Sequence, residues 1–274
     1  MSSVDLTLDQ RDISFAISEW LQLGKLNNSE KYAEFDQDTL EMMVKEGIRF
    51  AIEVVFPTRA ESDRKGCRME EGRVKVSECL HKPFQKAYEL GWASISDSPE
   101  YGGMGSPATI GLIVSEAING ANLGLGMFFG LTSGAAKLIE SYGSEMLKEK
   151  YIAKMFQGQY TGTMCLSEPQ AGSDVGAGIT SAESQGDGVY KIKGTKCWIS
   201  SGDNDLGENV IHAVLARVKG APDGTKGLSL FVVPYFRVND DGSLGDWNDV
   251  TVASIENKMG IHSSPTAVLS FGEN

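Results

Sequence analysis

The sequence is poor in the side chains from which metal and thiol chemistry is built, with four cysteines and three histidines in 274 residues. Cys67, Cys79, Cys165 and Cys197 lie far apart with no C-x-x-C pair, and His81, His212 and His262 are equally scattered, so a metal cluster is excluded. Basic residues are in deficit: 25 Lys and Arg stand against 37 Asp and Glu, a formal charge of −12 with a pI near 4.8. That balance repels phosphodiester backbones, and no run of Lys and Arg opposes it, which excludes a nucleic-acid partner. No uninterrupted apolar stretch approaches the roughly 20 residues that a membrane-spanning helix needs. The opening "MSSVDLTLDQRDISF" lacks the basic start and apolar core of a secretory leader. A cytoplasmic or equivalent reducing location without a membrane span is therefore expected. The G-x-S-x-G elbow of the α/β hydrolases is also missing.

The 41% of hydrophobic residues is enough to bury one large or two medium domains. From Asp9 to Phe156 the apolar residues recur at helical spacing. Ile13, Ala16, Ile17, Trp20 and Leu21 share one face, as do Leu40, Met43, Val44, Ile48, Ala51, Ile52 and Val55. Asp38 with Glu41 reads as a capping box, and Pro57 as an end or kink. Further helices are predicted over Pro83–Leu90, Thr109–Ile118, Leu123–Ser141 and Glu145–Phe156. After "QGQY" the period falls from 3.6 to 2. The runs "YTGTMCLS", "GVYKIKG", "KCWIS", "NVIHAVLARV" and "GLSLFVVPYF" are separated by turn clusters. The expectation is an α+β chain: an all-α helical bundle over residues 1–158, then an antiparallel β-barrel or sandwich-like domain over 159–274, with the boundary near Gly158.

The densest run of suggestive residues is "MCLSEPQAGSDVG", Met164 to Gly176. Ser167 or Ser173 as a nucleophile would need a neighbouring base, and a helical bundle followed by a β domain is the wrong order for an α/β hydrolase. The glycines of "GLGMFFG", Gly124, Gly126 and Gly130, are spaced one residue too long for a dinucleotide fingerprint, and no strand precedes them. They read as close helix packing. In the Met164 loop, by contrast, Pro169 stops the strand, and Ala171, Gly172 and Ser173 leave the backbone open to a bulky ligand. Trp198 and Ser200 of "CWIS" then offer an indole and a hydroxyl. A flat heteroaromatic ring with polar edges fits those groups.

"MCLSEPQAGSDVG", "YKIKGTKCWISSG", "KGLSLFVVP" and "NKMGIHSSPTAVLSF" resemble, in this order, the signature segments of the acyl-CoA dehydrogenase family. "GWASISDSPEYGGMGSP" extends the likeness back into the helical half. The long segment before Tyr88 and the wording "NKMGIHSSPT" are most similar to the subgroup that includes 3-methylmercaptopropionyl-CoA dehydrogenases. The resemblance implies FAD as cofactor and α,β-dehydrogenation of an acyl-CoA thioester in fatty-acid metabolism. It implies that Met164, Leu166 and Ser167 line the isoalloxazine, with the Ser167 hydroxyl at its polar edge. Trp198 and Ser200 contact it from the next β segment, and Ser173 lies near the pyrophosphate and the bound CoA thioester. Several members of the family carry an aromatic residue where this chain has Met164.

Members of the family continue past the "SF" strand into a C-terminal helical bundle that completes the FAD site and supplies the carboxylate base. The resemblance thus places the base beyond Asn274 and no catalytic residue within the chain, and it gives Glu168 a structural role. It implies an electron-transferring flavoprotein as electron acceptor and a homodimer or homotetramer at full length. Two alternatives stand beside the dehydrogenase: a subunit or fragment that works only with a C-terminal partner chain, and an acyl-CoA oxidase.

Overall fold

The computed structural model describes residues 8–274, so the first seven positions of the stretch assessed for a leader lie outside the described residues. Helix α1 (Gln10–Phe15) is capped by Asp9, whose carboxylate accepts the Arg11 N–H at 2.9 Å. Helix α2 (Gln37–Phe50) turns Leu40, Met43, Val44 and Ile48 into the core. Its cap is Asp36, which accepts the Thr39 N–H at 2.8 Å, and not the expected Asp38. The chain then loosens into a wide turn at Ala51–Val55 and a tight one at Phe56–Thr58 before α3 (Arg59–Lys65). Pro57 lacks the N–H that would continue the α2 ladder.

Helix α4 (His81–Glu89) ends at Leu90 and Gly91, the latter at φ +78°, a conformation that only glycine adopts without cost. The two helices expected over Thr109–Ile118 and Leu123–Ser141 are one element, α5 (Ala108–Tyr142), kinked at Asn122 with φ −157° and ψ 95°. The kink has a polar cause. The buried Asn122 amide donates to Thr58 Oγ1 at 2.9 Å and to Ser62 Oγ at 3.1 Å, pinning α5 to the Phe56–Thr58 turn and to α3. Helix α6 spans Glu145–Phe156.

Although it contains no uninterrupted apolar stretch of about 20 residues, α5 is long and apolar enough to cross a membrane by length and composition. Over half of its most apolar window, 56%, is buried inside the fold. The glycines and serines along it interrupt any continuous apolar run without lowering its average much.

The helical half is also not purely α. Strands β1 (Arg68–Glu70) and β2 (Arg73–Lys75) form a hairpin around Glu71 and Gly72, both at positive φ, as a tight two-residue turn requires. Arg73 reaches across to the β region and forks onto Asp203, at 2.7 Å from Nη2 to Oδ1. Its guanidinium also lies 4.0 Å above the Tyr235 ring.

The β region begins with β3 (Tyr160–Cys165). It continues through β4 (Ser181–Gly186), β5 (Val189–Ser200), β6 (Asn209–Val218), β7 (Leu228–Pro234), β8 (Phe236–Val238), β9 (Leu244–Trp247), β10 (Val250–Ile255) and β11 (Thr266–Phe271). Seven of these form one sheet in the order β10-β11-β5-β4-β6-β3, with β7 on β6, while β8 and β9 make a separate hairpin. The sheet is not wholly antiparallel: β3 runs parallel to β6 from Tyr160↔Asn209 to Cys165↔Val214, and β4 meets β6 in parallel at two positions. Between β3 and β6 the chain makes the complete β4–β5 hairpin, so it returns in its original direction. One core cluster lies among the helices, a second within the curled sheet, and a third joins α5 and α6 to β3.

Candidate functional site

Two chain segments that are 30 residues apart come together where β3 ends and β5 bulges. The Cys197 N–H donates to the Ser167 carbonyl at 2.9 Å, and Lys196 Nζ donates to the Leu166 carbonyl at 3.0 Å. The register of β5 against β11 slips here, from Ala267↔Ile199 to Leu269↔Lys196. The extra residue takes Trp198 to φ +57°, in the left-handed region, and its indole is 57% exposed. A half-exposed tryptophan held in a costly backbone conformation is an aimed group, not a core residue.

On the two joined segments Leu166 is exposed and Met164, Ser167 and Ser200 are half-buried. The hydroxyls of Ser167 and Ser200 have no hydrogen-bond partner among the described residues. The bonds from Cys197 and Lys196 set the segment that carries Met164, Leu166 and Ser167 beside the segment that carries Trp198 and Ser200. Ser173 stands apart in the exposed turn Gly172–Asp174. That turn is tied at its far end by Arg217, which donates to the Gly176 carbonyl at 2.8 Å and the Gly224 carbonyl at 2.9 Å.

On the same two segments lies a pair that the sequence reading only half identified. Glu168 and Lys196 are both buried, with Nζ 2.8 Å from Oε1. Glu168 also accepts the Ile179 N–H at 2.8 Å, the Thr180 N–H at 3.1 Å and the Gln170 amide at 2.9 Å. Burial alone would push its carboxyl up, but Lys196 and these donors outweigh it and hold the carboxyl well below the ordinary value of 4.5. Its main chain closes the loop as well, exchanging two bonds with Ala171 at 2.9 and 3.0 Å. Lys196 was the missed member. It shares a strand face with the buried Ile192, and a lysine in that inward phase was its signal.

None of the histidines serves Ser167 or Ser173. His212 is fully buried with Nδ1 2.7 Å from Thr163 Oγ1, and burial followed by the Arg73 charge pushes it down to about 3. His262 pairs with Asp63 and His81 with Asp205. Burial raises the Cys67 and Cys165 thiols to about 12, which leaves both unreactive. Ser167 and Ser173 thus have no histidine base among the described residues. Among the described residues no cluster of metal-ligating side chains occurs.

Two family profiles match in tandem: "Acyl-CoA dehydrogenase, N-terminal domain" over residues 37–159 and "Acyl-CoA dehydrogenase, middle domain" over residues 163–273. The 3-methylmercaptopropionyl-CoA dehydrogenase of Ruegeria pomeroyi is 39% identical over 261 residues, covering 95% of this chain and 44% of that protein. A butyryl-CoA dehydrogenase of Syntrophomonas wolfei is 40% identical, covering 100% of this chain and 46% of that protein. Among solved structures, an acyl-CoA dehydrogenase of Bacillus anthracis complexed with FAD has the same fold. It shows a TM-score of 0.68 at 24% identity over 87% of this chain and 36% of that one. The chain spans less than half the length of these curated relatives.

Proposed function

This chain belongs to the acyl-CoA dehydrogenase family, and on that premise we propose that its exposed Trp198 platform is the protein's share of an FAD site in an enzyme that dehydrogenates acyl-CoA thioesters. The observation that carries the reading is the left-handed bulge. It spends backbone energy to present an indole beside Leu166 and Met164, with two unpaired hydroxyls at the rim. An apolar flat surface with a few polar groups at its edge suits an isoalloxazine ring. Bound there, FAD supplies the hydride acceptor. Met164, Leu166 and Trp198 exclude water from the ring, and Ser167 and Ser200 hydrogen-bond its polar edge. Ser173, in its open turn, contacts the phosphate and CoA arm.

The whole enzyme takes an acyl-CoA substrate, passes electrons to an electron-transferring flavoprotein and assembles as a homodimer or homotetramer. Glu168 does not remove the substrate's α-proton, because both of its oxygens are engaged. We place that base in the part of the longer protein that this chain does not span, the named relatives being more than twice as long.

Ser167→Ala tests the platform. In the full-length protein the substitution is expected to weaken FAD binding by roughly 0.5–1.5 kcal/mol, the net worth of one hydrogen bond. A fluorescence titration of FAD reads this directly, and turnover persists when FAD is saturating. Turnover falling to background with FAD fully bound would return Ser167 to the role of nucleophile.

A further inference from the structure

The segment that carries Trp198 is strained at both ends. Trp198 opens it at φ +57° and Ser201 closes it at φ +55°, so two residues other than glycine hold left-handed backbone within one short stretch. Such backbone persists only where its surroundings over-determine it. The front of the segment is fixed within the β region, by the bonds of Lys196 and Cys197 to the Leu166 and Ser167 carbonyls. The rear is fixed from two sides. Toward β11, the Ser201 N–H donates to the Pro265 carbonyl at 2.7 Å, and Gly202 packs so closely that a Cβ there would lie 2.7 Å from the Ala267 Cβ. Toward the helical half, the next residue is the fully buried Asp203.

The partner of Asp203 in that half is Arg73. Its Nη2 and Nε fork onto the carboxylate at 2.7 and 2.9 Å, and the Val74 N–H donates to the same group at 2.7 Å. The guanidinium is held in turn by aromatic faces, 4.0 Å from the Tyr235 ring and 5.4 Å from that of Phe236. The strand beneath it is a firm base, because Val74 lies in the core of the sheet and Val76 in the core of the helices. Asp205 repeats the contact more loosely, accepting the Val76 N–H at 3.0 Å with Lys75 Nζ at 3.5 Å. Asn204, between the two aspartates, donates to Thr161 Oγ1 at 3.1 Å. Of the three, Asp203 alone is gripped by a fork, and a buried carboxylate stripped of its cation rearranges or draws in water.

We propose that Arg73 is a positioning residue for the Trp198 platform: through Asp203 it fixes the rear of the strained segment, and so ties the indole of Trp198 and the hydroxyl of Ser200 to the helical half. This rests on the reading of the platform as an FAD surface. Without the fork Ser201 relaxes from its left-handed conformation, and the Trp198 bulge keeps only its front support. Met164, Leu166 and Ser167, on the other strand, stay in place. A pair that served stability alone would loosen both strands together.

Hydrogen exchange read by mass spectrometry on the full-length protein tests this asymmetry. Arg73→Leu is expected to accelerate exchange over residues 199–204 by roughly tenfold or more, with residues 164–167 within about twofold of the parent. Arg73→Lys keeps the charge without the fork and is expected to restore part of the protection, which preserves the comparison if Arg73→Leu folds poorly. In a fluorescence titration of FAD, affinity is expected to fall roughly tenfold in Arg73→Leu and less in Arg73→Lys. Lys154→Met, which removes the bond to the Tyr160 hydroxyl at 2.9 Å, is the stability control and is expected to lower the melting temperature with FAD affinity unchanged. Exchange that rises equally over both strands, or FAD affinity equal to the parent's in both Arg73 variants, overturns the proposal. Trp198→Ala tells that failure from a failure of the platform. FAD affinity lost in Trp198→Ala but kept in the Arg73 variants overturns the positioning role alone, whereas affinity unchanged in Trp198→Ala overturns the FAD reading and this proposal with it.

Discussion

Glu168→Ala is expected to destabilise the β region by about 3–5 kcal/mol, because it strands the buried Lys196 ammonium without a counter-charge. It also frees the N–H groups of Ile179 and Thr180, which leaves the loop before β4 without its anchor. Lys196→Met strands the carboxylate instead and should cost a similar amount. The double variant Glu168→Leu/Lys196→Met removes both charges and is expected to recover much of the loss. Urea unfolding followed by tryptophan fluorescence measures all three, and Trp198 reports locally because its bulge hangs on Lys196 and Cys197. If the single variants melt within 1 kcal/mol of the parent, which is roughly the worth of an exposed pair, the buried anchor is refuted.

The same pair sets a pH dependence. The folded carboxyl titrates below its ordinary value of 4.5, so its contribution is complete above that value. It is lost as the pH falls from there toward about 2. Parent and Glu168→Ala should therefore converge in stability toward pH 2, where both leave the Lys196 ammonium without a counter-charge, with the parent's advantage restored above pH 5. A gap that stays constant across that range would remove Glu168 as its source.

The sequence revealed the platform better than its support. Alternation and turn clusters located β3, β5, β6 and β7, because a half-buried strand writes its two faces into its residues, but they did not single out β4 or β10, and β11 entered only within a segment quoted for its resemblance. Period alone carries no strand direction, so the parallel pairing of β3 with β6 lay outside what alternation records. The β1–β2 hairpin is three residues on each side, too short to establish a period, and its Glu71-Gly72 turn was its one local signal. The Asp36 cap was displaced by two residues because Asp36 and Asp38 both precede the apolar run, and only the geometry shows which carboxylate faces an N–H. Trp198 and Ser200 were legible through resemblance. The bulge that turns the indole outward was not, since a left-handed tryptophan arises from the register slip against β11, a contact 70 residues away in the chain. Lys196 was overlooked between two more conspicuous residues, although a lysine in the phase of Ile192 is the kind of local conflict that marks a functional or anchoring position.

The largest effect is expected on catalysis itself. Removing a proton α to a thioester requires a carboxylate within hydrogen-bond reach of it, held in a closed apolar pocket that raises its pKa. Beside the Trp198 platform the structure shows the opposite. Glu168 lies beneath the surface, its carboxyl depressed and its oxygens shared among Lys196, Gln170, Ile179 and Thr180. Asp174 turns back over Gly176, its Oδ1 about 3.1 Å from where a Cβ on that glycine would stand. His212 is neutral, buried and bound to Thr163. These 274 residues supplied with FAD are therefore expected to show no acyl-CoA-dependent reduction of a dye acceptor, a deficit of at least the 10²–10⁴-fold that a positioned general base contributes. Supplying the C-terminal part of a full-length relative, fused or as a second chain, should restore it. Glu168→Gln separates the two explanations of any residual rate. If the chain alone reduces dye and Glu168→Gln abolishes that activity while the fold survives, Glu168 is the base and the reading of it as an anchor fails.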